Sequence, residues 1–254
     1  MLKEERQRHI LEVLEREGRV VATELRDRLG VSGYTVRRDL DELAHAGRLQ
    51  RVHGGALARS KVPRTYEARR TAEVAGKIAT ALAAASLLEP DQVVILDGGS
   101  TALHLVDAIP SDHTATFVTH SPPVAAALGQ RQGLEVIVVG GSLDPRAMVA
   151  VGAQTLDAYR RVSADICFMG IWSIHPEHGI SSGYHEEAEV RRVLLDRADR
   201  VVGLASRDKL GTVAPFTVGP AGALTHLATE LDTPPHALQP FTELGIHIVA
   251  DPPR

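Results

Sequence analysis

The 254-residue chain is 44% hydrophobic with a formal net charge of −4, which allows one large domain or a small and a medium one and excludes a disordered or strongly basic protein. Its one cysteine, Cys167, lies in the apolar run ADICFMGI, cannot close an internal disulfide and fits a reducing, cytoplasmic setting. No stretch of about 18 apolar residues reads as a membrane span, and charge is uneven: residues 1–60 carry 12 Lys/Arg against 10 Asp/Glu and the remainder 16 against 22, the sign expected of a polyanion-binding head on an acidic body.

At the start of the chain, MLKEERQRHILEVLE mixes charges with apolar residues at helical spacing, unlike a secretory signal. Ile10, Leu11, Val13 and Leu14 predict an amphipathic helix over about Lys3 to Glu17, closed by Gly18. A second helix in VATELRDRLG buries Val21, Leu25 and Leu29 and stops at Gly30, which tolerates the left-handed conformation of a tight turn. Ser32 caps a third, in which Val36, Leu40 and Leu43 point inward while Tyr34, Thr35, Arg37, Arg38, Asp41 and Glu42 face out. Two helices about a short glycine-containing turn make a helix-turn-helix, whose second helix offers its first turns to the DNA major groove. Ser32, Tyr34, Thr35, Arg37 and Arg38 are therefore candidate DNA contacts, since a guanidinium can fork onto guanine or grip a phosphate. The competing role for the two arginines is pairing with Asp41 and Glu42 on a solvated face. GRLQRVHGGALAR then alternates Leu49, Arg51 and His53 with Gln50 and Val52 before turning at Gly54 and Gly55, a wing that adds Arg51 and His53 to the DNA candidates.

ARSKVPRTYEARR, polar and basic with no apolar period, reads as a solvated linker over 59–70, between a head at 1–58 and a second domain at 71–254. There, β-rich runs such as VVILD, TFVTH, LEVIVVGG, ADICFMGI, RVVGLAS and IHIVA alternate with helical stretches, which predicts a mostly parallel α/β sheet with ligands at the carboxyl ends of its strands. Four such ends carry chemistry. Asp97, Gly98, Gly99, Ser100 and Thr101 combine backbone N–H groups, hydroxyls and a helix N-terminus into an anion cradle. Thr119, His120 and Ser121 repeat the arrangement, with Ser121 capping a helix that has proline in its first turn. Gly140, Gly141 and Arg146 form a third end, and Lys209 a fourth that can close on an anionic ligand.

The run from Arg8 to Ala56, above all VS..TVRRDL and R.HGGA, closely resembles the winged helix-turn-helix of the DeoR family of bacterial transcriptional regulators, and the likeness extends over nearly the whole chain. That resemblance implies a sensor domain like ribose-5-phosphate isomerase and its CoA-transferase-like relatives, which binds a phosphorylated sugar and releases a repressor from operator double-stranded DNA. It implies that DGGST is the phosphate turn, that THS stands where the family usually has Thr-Asn-Ser, and that Glu187 and Lys209 occupy the family's glutamate-led helix and post-strand lysine. His120 in place of asparagine, with Trp172 and Ser173 where a small and an acidic or amide residue are usual, implies an effector other than the family's commonest sugar phosphates. A homodimer or larger even oligomer is expected, because two-fold operators mirror two-fold proteins. His175, His178 and His185, with Glu177 and Glu186, match no tight metal template, so neither metal nor cofactor is expected. The alternative is an isomerase fused to a DNA-binding head: Asp97, Glu187 and Lys209 could serve proton abstraction, but the chain lacks an acidic cluster of the DGADE kind, and no catalytic residue is assigned.

Overall fold

A computed structural model describes residues 1–250. Helix α1 (Lys3–Glu17) ends at Gly18 in the left-handed conformation and is followed by a short strand, β1 (Arg19–Val21), then α2 (Ala22–Leu29), α3 (Gly33–His45) and the hairpin β2 (Leu49–Val52) and β3 (Gly55–Arg59). The predicted stripes pack as read: Ile10, Leu25, Val36 and Leu40 are at most 1% exposed in a core of their own. Val21, however, closes β1 rather than opening α2, and it is Val20 that is buried, because β1 pairs antiparallel with β3. Ser32 caps α3 as expected, its hydroxyl accepting from the Thr35 N–H at 3.1 Å. A buried ion pair fixes α3 to α1, with both Arg6 guanidinium arms on the Asp39 carboxylate at 2.7 and 3.1 Å.

The 59–70 segment is not a solvated hinge. It carries α4 (Tyr66–Thr71), and Tyr66 and Arg69 are buried because the Arg69 guanidinium finds backbone carbonyls at Pro63, Arg64 and Arg146 and lies 5.0 Å over the Trp172 ring.

Beyond it come α5 (Val74–Ala85), β4 (Gln92–Leu96), α6 (Ser100–Ala108), β5 (Ala115–Thr119), α7 (Pro122–Leu128), β6 (Leu134–Val138), the hairpin β7 (Ser142–Asp144) and β8 (Val149–Val151), and α8 (Ala153–Tyr159). There follow β9 (Ala164–Gly170), β10 (Ser173–His175), β11 (Gly179–Ser182), α9 (His185–Leu194), β12 (Ala198–Leu204), a 3₁₀ turn over Arg207–Lys209, β13 (Thr212–Val213), β14 (Phe216–Gly219), β15 (His226–Ala228), α10 (Pro235–Glu243) and β16 (His247–Val249). Seven strands form one parallel sheet in the order β16-β15-β12-β9-β4-β5-β6, covered on its two faces by two apolar clusters. The chain runs outward from β4 to β6 on one side and returns to β9 on the other. That reversal opens a crevice between the carboxyl ends of β4 and β9. The two parts of the molecule also share a sheet, because β13 hydrogen-bonds in parallel to β3 of the wing, with Thr212 opposite Ala58 and Val213 opposite Arg59.

Candidate functional site

At the β4–β9 crevice lies a cavity of about 200 Å³, bordered by Gly98 to Thr101 after β4, Gly170 to Trp172 at the end of β9, Asp208 and Lys209 after β12, Glu187 and Arg191 of α9, Lys61 to Pro63, Arg69, Ala72 and Glu73 from the segment leading out of the head, and Lys77 of α5. Two glycines admit this geometry. A Cβ on Gly98 would collide with Val149, and Gly99, at the N-cap of α6, holds φ at +119°. The first N–H groups of α6 have no partner within the helix, and Ser100 and Thr101 are buried beside them.

Lys209 is 6% exposed and makes neither an ion pair within 4.0 Å nor a side-chain hydrogen bond among the described residues. Burial pulls its ammonium down to about 8, with Lys77 and Arg191 adding repulsion and Asp208 and Glu230 opposing. Lys77 is buried too and donates to the backbone carbonyls of Arg69 and Ala72 rather than to a carboxylate; desolvation lowers its pKa. The Arg69 guanidinium likewise donates only to backbone carbonyls among the described residues, and it lies over the Trp172 ring. Lys209, Lys77 and Arg69 thus border one small cavity without an ion-pair partner among the described residues, beside Glu73, Glu187 and Asp208.

Beneath the cavity a hydrogen-bonded network absorbs several residues expected to touch a ligand. Asp97 is fully buried. Its oxygens accept from Gly98 N–H at 2.7 Å, Gly170 N–H at 3.0 Å and Arg191 Nε at 2.8 Å, so it ties the β4 and β9 ends together and does not line the cavity. Glu187 borders the cavity, yet its oxygens receive Arg191 at 3.0 Å and the Ser182 hydroxyl at 2.7 Å. Both carboxylates are engaged by Arg191. His120 is 1% exposed, its Nδ1 2.7 Å from the Tyr159 hydroxyl and its Nε2 3.5 Å from Asp97, too long for a hydrogen bond; burial lowers its pKa, against the pull of Asp97. Ser121 holds the N-cap position of α7, but its hydroxyl donates to the Met148 carbonyl and makes no cap bond. Gly141 abuts Thr155, and Arg146 pairs with Asp144 at 2.8 Å and stacks on Tyr184, so both lie outside the lining. Trp172 does line the cavity, between Arg69 and the edge of Tyr184, while Ser173 is buried behind it.

Sequence reasoning missed Arg191, Arg69, Lys77 and Lys61. Arg191 had a local signal, four residues after Glu187 in the same helix; the others join the site only through tertiary packing. The histidines do not converge. His175 and His178 stack at 4.8 Å in the β10–β11 turn, where His175 Nδ1 accepts two backbone N–H groups and burial lowers its pKa to about 4. His185 sits on α9 against Phe216, Glu186 and Glu189. Among the described residues no group of three or more His, Cys, Asp or Glu is arranged to hold a metal ion.

In the head, Tyr34 is 73% exposed, Arg37 is exposed without an ion pair among the described residues, and Arg38 is 3.6 Å from Glu42. Thr35 is half-buried near the Ser32 cap, and its hydroxyl lies 2.9 Å from that of Ser32. Arg51 is spoken for: it binds Asp41 at 2.9 Å and the Gly55 carbonyl, locking the wing to α3, whereas His53 stands exposed at the wing tip.

Residues 6–62 match the DeoR-like helix-turn-helix domain and residues 72–231 the DeoR C-terminal sensor domain. The chain belongs to the DeoR family of transcriptional regulators. This DeoR-family chain is 36% identical to the HTH-type transcriptional regulator GlpR of Haloferax volcanii over 83% of each protein, and 26% identical to the glycerol-3-phosphate regulon repressor of Escherichia coli K12 over 95% of this chain and 97% of that one. Among solved structures, ribose 5-phosphate isomerase A of Neisseria gonorrhoeae aligns with 52% of each chain at 13% identity and a TM-score of 0.39. No helix among the described residues is long and apolar enough to cross a membrane.

Proposed function

We propose that this regulator is a cytoplasmic repressor of a carbohydrate or phosphorylated-polyol operon, and that it leaves its operator when a small phosphorylated sugar or sugar derivative fills the β4–β9 cavity. The observation that carries the ligand class is Lys209, a buried ammonium without a counter-ion among the described residues, which borders the same cavity as Ser100 and Thr101 at the start of α6. Neutral N–H and O–H donors joined to one charge suit a phosphate monoester better than an uncharged sugar. The cavity, at about 200 Å³, lies below the roughly 300 Å³ at which drug-sized ligand pockets begin, which favours a small metabolite over a nucleotide. A relative named for a glycerol-3-phosphate regulon agrees with both size and charge. Catalysis finds no support, since Asp97 and Glu187 are committed to Arg191.

Double-stranded operator DNA is the second partner, read by α3 from a homodimer or larger even oligomer whose paired heads match a two-fold site. Light scattering at micromolar concentration checks the assembly. The ligand is tested by a thermal-shift screen of sugar phosphates against their dephosphorylated partners, with gel shifts on the gene's own upstream DNA. We expect only phosphorylated compounds to raise the melting temperature and weaken the DNA complex; stabilisation confined to unphosphorylated compounds overturns the assignment.

A further inference from the structure

Lys61 stands where the two halves of the molecule meet. It comes two residues after β3, borders the anion cavity, and also borders the larger cleft between head and sensor. Its ammonium is 2.6 Å from Glu15 Oε1 on α1 of the head, in a pair whose side chains are 79% and 71% exposed. Such a pair is weak, because water screens both charges, and a competing anion exchanges it at little cost. The surrounding backbone is firmer. Ser60 N–H donates to the Val213 carbonyl at 3.0 Å, β3 pairs with β13, and Thr212 donates its hydroxyl to the Lys209 carbonyl at 2.8 Å. Lys61 and Lys209, distant in sequence, thus flank one two-stranded seam beside the cavity.

We propose that Lys61 is an effector ligand supplied by the segment that continues the wing, and that an anion bound in the cavity takes it from Glu15. The exchange removes a tie between α1 and the 59–70 segment that leads to the sensor domain, so occupancy of the cavity is felt by the head. This rests on reading the cavity as an anion site. It differs from that reading in naming a residue outside the strand ends and a competitor within the head.

The test uses the full chain and inorganic phosphate, titrated by the fluorescence of Trp172, the one tryptophan in the sequence and part of the cavity wall, and in parallel by calorimetry. Wild type is compared with Lys61→Gln, Glu15→Gln, the double variant and Lys209→Gln; positions 15 and 61 are exposed, and circular dichroism checks each fold. We expect Lys61→Gln to weaken phosphate binding about fivefold and Glu15→Gln to tighten it about two- to threefold, the range an exposed pair allows. The tightening should vanish when Lys61 is already glutamine. Equal tightening with and without Lys61 would show only a general field of Glu15 and would overturn the exchange. So would an unchanged Lys61→Gln beside a weakened Lys209→Gln, which leaves the anion site standing. If Lys209→Gln also titrates like wild type, the anion site itself falls and the exchange with it.

Discussion

Keeping an ammonium charged at 6% exposure with no carboxylate within 4.0 Å among the described residues is costly, and the depression of Lys209 to about 8 expresses that cost. The folded protein therefore binds fewer protons than the unfolded chain between about 8 and 10.5, so stability gains from this group as pH rises through that window. Ligand affinity runs the opposite way. Below about 8 Lys209 carries its proton, and a phosphate monoester reaches its dianionic form above roughly pH 6. Phosphate affinity should accordingly rise to about pH 7 and fall above 8, and Lys209→Gln should flatten the alkaline limb; calorimetric titrations across pH 6 to 9.5 measure both. In the head, Arg37 is exposed without an ion pair among the described residues while Arg38 leans on Glu42. Arg37→Ala should weaken operator binding by about 1–3 kcal/mol if the guanidinium reads a base, or lower the salt slope by about one unit if it holds a phosphate. Gel shifts at several salt concentrations separate these, and wild-type behaviour at all of them would remove α3 from the groove.

At the scale of elements, the recognition helix is held by more than its apolar stripe. Arg6 of α1 clasps Asp39 of α3 with both partners buried, so Arg6→Ala leaves a carboxylate without its cation in the core. The expected outcome is a destabilised head, read by circular dichroism as an earlier denaturant midpoint than that of wild type. The elements that were legible in the sequence are those whose signal is local. α1 and α3 show their stripes within a few turns, Gly18 closes α1 and Gly30 takes the left-handed cap read for it, and Gly98–Thr101 stand at a strand end with a helix beginning. The elements missed are those defined by a distant partner. β1 exists because β3 pairs with it, and the two residues of β13 carry no strand pattern of their own. The 59–70 segment looked solvated because its burial depends on carbonyls and a tryptophan supplied by other parts of the chain. Asp97 was read as a ligand contact for the same reason: its guanidinium partner lies 94 residues away, so its inward role is not visible from the DGGST turn.

For the whole molecule, the decisive feature is that the wing and the β4–β9 cavity are joined by one strand pair rather than by a free tether. The wing strand β3 is hydrogen-bonded to β13, and β13 starts three residues after Lys209. A ligand in the cavity can alter operator binding only through different affinities for the DNA-bound and the free protein, and thermodynamic linkage makes the effect reciprocal. Coupling free energies of this kind are typically about 1–3 kcal/mol, or roughly 5- to 150-fold in affinity. The sugar phosphate that stabilises the protein most should therefore weaken its hold on upstream DNA by a factor in that range, and that DNA should weaken sugar phosphate binding by the same factor. Ser100→Ala combined with Lys209→Ala should abolish the response and leave operator affinity intact, because both residues lie in the cavity and neither lies in the head. Fluorescence anisotropy of labelled upstream DNA with and without the ligand gives one factor, and calorimetry of the ligand with and without that DNA gives the other. A double variant that still releases DNA would mean that release runs through a site other than the β4–β9 cavity.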